Sequence, residues 1–248
     1  MLINLLKNEF TKEKRNLVIL FILAIPLGVA FLLCVDFIIR YESWLLPQAM
    51  EKGLTSWQVL VKEQRILYFN DFMPLFSALI LVTLFECEYR NNSWTFLLTQ
   101  PIKRSKILLS KYIVAAFYST TMLLLNVISL VIVGLIFKFK EPIPYKFFII
   151  MFFVQLISSL VIMIIHLFLN IKNKNLLVSL GIAAVLSIIS SNIYFSDYFI
   201  KYLNPYGFSL FSITQGRNEM LILFIISGLI LLIGPKLIKR YFYNKEMY

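Results

Sequence analysis

Six apolar stretches occupy most of this chain, and the segments between them are too short to build a water-soluble core, so the backbone has to satisfy itself in lipid as helices. Residues 17–35, 112–137, 147–169 and 176–195 each reach the roughly 20 apolar-rich positions that a helix rising about 1.5 Å per residue needs to cross a hydrocarbon core about 30 Å thick. Residues 220–235 are shorter but extend through Leu237 and Ile238, because Lys236 near a helix end snorkels to the interface. Residues 72–85 are too short alone, and extending them outward takes in Asn70 and Asp71, which predicts a wet outer end. A composition of 60% hydrophobic and 15% charged residues rules out an ordinary soluble domain. The reading is an all-α integral membrane protein, a single domain over residues 1–248 with six transmembrane helices.

The formal charge of +11 would suggest nucleic acid in a soluble protein, but here the lysines and arginines flank apolar runs instead of forming a patch. Anchoring to anionic membrane lipid explains them, and no nucleic-acid partner is expected. If the N-terminus is cytoplasmic, inner segments hold 15 lysines and arginines and outer segments 9, a bias that places both termini inside. Asp36 sits where the first span should end, since a carboxylate at the bilayer centre costs about 2.5 to 3.5 kcal/mol. The charged start followed by the run from Leu17 imitates a secretory signal, but the run is too long and lacks a small-x-small cleavage site. Cys34 and Cys87 fall at opposite faces, so neither a disulfide nor a metal site is implied.

Three non-spanning segments have character. Residues 1–16 place Leu2, Ile3, Leu6 and Phe10 on one helical face and most of the basic residues elsewhere, the pattern of an interfacial helix, beside the simpler reading of a frayed basic terminus that only sets topology. Residues 40–71 mix charges with Trp44, Trp57, Tyr68 and Phe69 and are expected to fold back on the membrane surface. Residues 192–219, aromatic-rich and broken by Asn204-Pro205 and Gly207, form an outer segment that either re-enters the membrane under protein cover or is an ordinary surface loop.

The loop 86–106 is the most distinctive. Glu86 and Arg90 are four apart, so they pair on one face if the second helix continues past the membrane. Asn92 or Ser93 is a good N-cap, residues 94–99 make about two turns, and Pro101 disfavours helical geometry at Gln100. Ser105 is then expected to cap the next helix. The outcome is a short transverse helix presenting Trp94, Phe96, Leu97 and Leu98. Each such side chain gains about 1.5 to 3 kcal/mol on burial, so a partner or the lipid surface is expected to cover them.

These elements together, Glu86-x-Glu88-x-Arg90, a short apolar helix from Ser93, Leu97-Leu98-x-x-Pro101-x-Lys103-Arg104 and a lysine opening the third span, resemble the coupling-helix region of type-2 ABC exporter permeases. The wording is most similar to permeases of lantibiotic immunity and bacteriocin transporters. The resemblance implies a subunit of the bacterial cell membrane whose helix at residues 93–99 docks in a cleft of a cytoplasmic ABC ATPase. Glu86, Glu88 and Arg90 would link that helix to the second span. It further implies an ATPase dimer, a second permease subunit, identical or paralogous, and export of an amphipathic peptide such as a lantibiotic, hence self-immunity and antibiotic resistance. No glycine begins G-x-x-x-x-G-K-[ST], so ATP and Mg would be held by the partner and this chain would be no enzyme, with no catalytic residues of its own.

The remaining polar residues have simpler readings beside the functional ones. His166, alone in the fourth span, reads as a hydrogen-bonded packing histidine ahead of a proton carrier. Asn126 and Gln155 read as interhelical hydrogen bonds. Ser179, Ala183, Ser187 and Ser191 form a small-residue stripe, either a dimer seam between permeases or packing within one chain. Asn70 and Asp71 either face the mouth of an aqueous pathway or cap the helix that contains Pro74. A secondary transporter would show repeated halves and paired buried ions, and an intramembrane enzyme a nucleophile with its base or a metal cluster. A non-transporting membrane assembly protein, or a permease for another cargo (drug, lipid or ion), satisfies the same hydropathy.

Overall fold

The computed structural model describes residues 2–13, 17–90, 93–173, 175–196 and 199–244, and within these leaves the side chains of residues 95, 96, 98, 243 and 244 outside the described set. In chain order the first half contains α1 (Leu2–Glu13), α2 (Val18–Arg40), a π-helical turn (Tyr41–Leu45), α3 (Leu46–Glu51), α4 (Ser56–Ile66), α5 (Met73–Arg90) and α6 (Ser93–Thr99). The second contains α7 (Arg104–Ile136), α8 (Tyr145–Lys172), α9 (Leu176–Tyr194), α10 (Ile200–Leu203), a 3-10 turn (Pro205–Leu210), α11 (Phe211–Thr214) and α12 (Arg217–Asn244). No strand occurs among the described residues.

Five of these helices, α2 with its continuation, α7, α8, α9 and α12, are long and apolar enough to cross a membrane. Their outward faces carry leucine, isoleucine and phenylalanine, among them Leu23, Leu27 and Phe31 on α2 and Leu221, Ile225 and Leu232 on α12. A coat of that extent is unfavourable in water and natural in lipid. The sixth apolar stretch, α5, is not among the five, because its 18 residues end in Glu86, Glu88 and Arg90. Its position accounts for that. α5 packs against α7, α8 and α9, and Ser77, Ala78, Ile80, Leu81 and Leu84 are buried there, so protein surrounds most of it. At its centre Ser159 of α8 joins Ser77 of α5 at 2.9 Å and Ser119 of α7 at 2.6 Å, the small-residue and hydroxyl contact that lets membrane helices approach closely.

The expectation that residues 40–71 lie on the membrane surface is corrected for α4. Thr55 and Gln58 form a capping box that starts this helix, and Trp57, Leu60, Val61 and Gln64 are buried against α2 and α7. The Trp57 ring lies over Gly134, where any Cβ would collide with it, and its Nε1 donates to the Glu141 carbonyl at 3.1 Å. Gln64 Nε2 donates to Asn126 Oδ1 at 2.6 Å, so Asn126 is an interhelical bond as its residue type suggested. Helix α2 also outlasts the boundary read at Val35. It continues to Arg40, whose guanidinium pairs with Asp36 at 2.5 Å and with Glu63 of α4 at 2.9 Å.

Within residues 192–219, Phe199, Ile200 and Leu203 are exposed, whereas the stretch that follows turns inward. Tyr206 to Ser212 are buried, with the 3-10 turn and α11 set against α8 and α9. Asn204 starts this insertion, its side chain accepting from the Tyr206 amide at 3.2 Å and donating to Ser190 Oγ at 2.7 Å.

Candidate functional site

Where α1, α5 and α7 meet, four charged side chains form one cluster. Lys111, in the second turn of α7, is fully buried, and its Nζ donates to Glu9 Oε2 at 2.8 Å, Glu88 Oε1 at 3.2 Å and the Leu84 carbonyl at 2.7 Å. Lys12 completes it, bonding Glu88 at 2.6 Å and Glu9 at 3.1 Å. Two carboxylates and two ammonium groups leave no net charge, which is what makes such burial tolerable. The acceptors are well supplied, since each carboxylate receives both lysines.

Helix α1 supplies half of the cluster. Glu9 and Lys12 are three apart and share a face, and the buried positions of this helix are Leu5, Glu9 and Glu13. Phe10 meets Phe117 and Tyr118 of α7 edge to face at 5.3 and 5.7 Å. The face predicted to be apolar is thus only partly engaged, Ile3 being exposed while Leu6 and Phe10 are half-buried. Residues 14–16, the end of the predicted interfacial segment, lie outside the described residues.

Glu88 lies beyond the apolar stretch that ends at Phe85. Burial would push its carboxyl up, but Lys111 and Lys12 outweigh that and hold it below its ordinary value. Burial likewise opposes the Lys12 ammonium, yet Glu9 and Glu88 raise it above its ordinary value.

The other members of the Glu86 to Arg90 string diverge. Glu86 and Arg90 are both exposed, and among the described residues no ion pair joins them, so the predicted pairing is not formed. They line a cleft between α2, α5 and α9 instead. Tyr89 turns inward and its hydroxyl donates to the Asn170 carbonyl at 2.8 Å, fastening α5 to the end of α8.

Helix α6 begins at Ser93, as its N-cap chemistry suggested, and Asn92 lies outside the described residues. The expectation that it presents Trp94 outward is corrected: Trp94 is 6% exposed and packs on Phe85 and Tyr89 of α5 and Phe242 of α12, with centroids 5.7, 5.8 and 6.1 Å away. The reason is physical. A short helix directly beneath the bundle lowers its free energy most by turning its largest ring into the adjacent aromatic gap. Leu97 is half-buried against the same core, and the side chains of Phe96 and Leu98 lie outside the described residues. Thr99, Pro101 and Lys103 are exposed. Helix α7 starts at Arg104 with Lys103 as N-cap and no side-chain cap bond, so Ser105 does not cap it. Arg104 Nη1 donates to the Phe242 carbonyl at 3.4 Å.

The remaining candidates are drawn inside. Asn70 is fully buried, its Oδ1 accepting from Gln155 at 2.6 Å and its carbonyl from Ser209 at 2.7 Å, while Asp71 is 5% exposed and accepts from Ser191 at 2.5 Å. These residues join the start of α5 to α8, α9 and the 3-10 turn, and Asp71 also lines a cleft of about 320 Å³ with Tyr68, Ser187 and Ser191. Ser179, Ala183 and Ser187 are buried within the single chain, and Ser191 is partly buried and bonds Asp71. The close approach this stripe permits is used by α5 and the 3-10 turn. His166 sits between Ser179 Oγ at 2.8 Å and the Tyr206 hydroxyl at 3.0 Å, a packing histidine with both ring nitrogens engaged.

Sequence reasoning missed Glu9, Lys12 and Tyr89, and noticed Lys111 only as a lysine opening a span. The available signal was a lysine a full turn inside an apolar helix, together with acidic residues on the inward face of an amphipathic one. The family model described as ABC-2 family transporter protein matches residues 5–190, which include the four-residue cluster and all of α6. No curated protein matches the chain.

Proposed function

Since the chain belongs to the ABC-2 family of transporter proteins and is a membrane permease subunit of an ABC transporter, we propose that it converts the closure of a separate ATPase into movement of its spans through α6. The observation that carries this reading is the buried cluster of Lys111, Glu9, Glu88 and Lys12 beside the Trp94 anchor. An element that receives force must not slip. Trp94 keys α6 to α5 and α12, and the cluster ties the base of α5 to α7 and to α1. Displacement of α6 is then shared by several helices as one body, the kind of bistable packing through which small shifts at one site reach another.

In this scheme the working unit has two permeases and two ATPases. ATP and Mg bind on the partner, α6 docks on the cytoplasmic face, α1 lies in the inner interface, and α5 serves as the sixth span. Thr99, Pro101 and Lys103 form the exposed rim available to the ATPase, with Phe96 and Leu98 on the same short helix. The cargo that fits the resemblance is a cationic amphipathic peptide of the lantibiotic type, moved outward from the membrane.

Site-directed crosslinking tests this. In a background carrying Cys34→Ser and Cys87→Ser, a Thr99→Cys variant is crosslinked in native membranes, and the product is probed for a polypeptide photolabelled by azido-ATP. The reading requires such a product from position 99 and none from Ile188→Cys on the outer half of α9. Equal products from both positions, or none from position 99, would refute it.

A further inference from the structure

Two clefts run together on the membrane face that carries α6. One, of about 490 Å³, lies between α7, α8 and α12 and is walled by Leu108, Leu109, Ile164, Leu167, Leu231 and Ile238, with Lys106 and Lys239 at its rim. The other, of about 550 Å³, shares Ser105 and Lys239 with the first and adds Lys103 and Arg104. Among the described residues neither is lined by a carboxylate. Both fall within the range typical of ligand clefts, roughly 300 to 1,000 Å³.

The opening follows from how α12 is held. It approaches α8 closely at Gly234, where a Cβ would collide with Ile164, and it is tied to the start of α7 by the Arg104 bond to the Phe242 carbonyl. Between α12 and α7 the apolar trough stays open, and Leu109 and Leu237 beside it are exposed.

We propose that this composite groove binds one anionic diacyl phospholipid, its acyl chains in the apolar cleft and its phosphate among Lys103, Lys106 and Lys239. The charge arrangement selects that occupant. A basic pocket with no carboxylate among its described lining residues, at the membrane interface beside an apolar trough, matches an anionic headgroup with attached chains. A cationic peptide would meet repulsion from the same lysines, and a second copy of this chain, at +11, would bring like charge. Free phosphate would satisfy the rim and leave the trough unused. This inference rests on the preceding reading only in calling that face cytoplasmic; lipid retention involves no ATPase, so its failure and a failed Thr99 crosslink are separate results.

The test is native mass spectrometry of the full chain released from mixed micelles of equal phosphatidylglycerol and phosphatidylcholine. One phosphatidylglycerol per chain should remain bound in preference to phosphatidylcholine. Each interfacial lysine contributes about a fivefold change in occupancy, so Lys106→Gln with Lys239→Gln should lower retention about 25-fold. Leu109→Trp, which fills the trough without touching the charges, should also lower it, whereas Lys140→Gln with Lys146→Gln at the other end of the bundle should not. Equal retention of both lipids, displacement of phosphatidylglycerol by millimolar inorganic phosphate, unchanged retention in the Leu109→Trp variant, or an equal loss in the control would each overturn the proposal. Should the lysine variant fail to fold by circular dichroism, the lipid preference of the unaltered chain and the Leu109→Trp result still decide.

Discussion

The two ends of the bundle are held by different chemistry. At the end bearing α1 and α6, four formal charges meet within 3.2 Å contacts around a fully buried lysine, and one tryptophan keys the short helix into place. At the other end the ion pairs of Arg40 with Asp36 and Glu63 are partly exposed, and amides and aromatic rings make many of the other contacts. Gln64 pairs with Asn126 and Gln155 with Asn70, and Phe37, Tyr41, Phe137, Phe139 and Trp57 make a continuous set of ring contacts. The difference teaches where each end yields. An ion cluster that loses one partner leaves an uncompensated buried charge, whereas amides and stacked rings lose their contributions one at a time.

The sharpest way to break this contrast is Lys111→Met. With Lys111 gone, Glu9 and Glu88 share only Lys12, and the loss should be about 3 to 5 kcal/mol, read as a lowered unfolding midpoint in mixed micelles. Adding Glu9→Gln should restore part of it, because one of the orphaned charges is removed. Trp94→Ala should cost about 3 kcal/mol, concentrated in α6, so that amide exchange rises there before the spans respond. At the end opposite α6, Asn126→Leu alone should cost about 1 to 3 kcal/mol by stranding Gln64, and Asn126→Leu with Gln64→Leu should come back close to the parent. If the Asn126–Gln64 pair proves costlier than Lys111, the contrast is wrong.

Acidity provides the gentlest probe. Glu88 is held below its ordinary value of 4.5, so its contribution is complete above about that pH and is lost as pH falls through the lowered value. Lys12 is held above its ordinary value of 10.5, so its contribution is complete below that pH and is lost only in stronger base. The Glu88–Lys12 pair should therefore stay intact across roughly pH 5 to 10 and weaken in acid. Glu88→Gln should flatten the acid limb of a stability profile, while the same profile for the Asn126→Leu, Gln64→Leu variant should keep it.

Much of the fold was legible because a bilayer demands length. Residues 145–172 and 176–194 became single helices close to the apolar runs that announced them. The weakest stretch, α5, was weak for a reason the sequence does not display: it is enclosed by α7, α8 and α9 and has little need of lipid-facing residues. The charge cluster stayed hidden because its partners lie far apart in the chain, Lys111 being 102 residues from Glu9 and 23 from Glu88. Counted as topology signals, those residues suggested an orientation and concealed contact. Trp94 was read the wrong way round, since which face of a seven-residue helix turns inward depends on what lies above it, and Phe242 comes from the far end of the chain. Asn70 and the serine stripe showed their residue types but not their partners, which the insertion at residues 205–214 supplies.

The most direct test needs no knowledge of the cargo. A cysteine replacing Asn192, at the end of α9 remote from α6, is labelled with a membrane-impermeant maleimide in the assembled transporter, with and without ATP. In the otherwise unaltered chain, ATP should change the labelling rate. In the Lys111→Met variant the change should vanish while ATPase binding at α6 persists. An ATP-dependent change that survives Lys111→Met at full size would contradict the claim that the buried cluster carries the stroke from α6 into the spans.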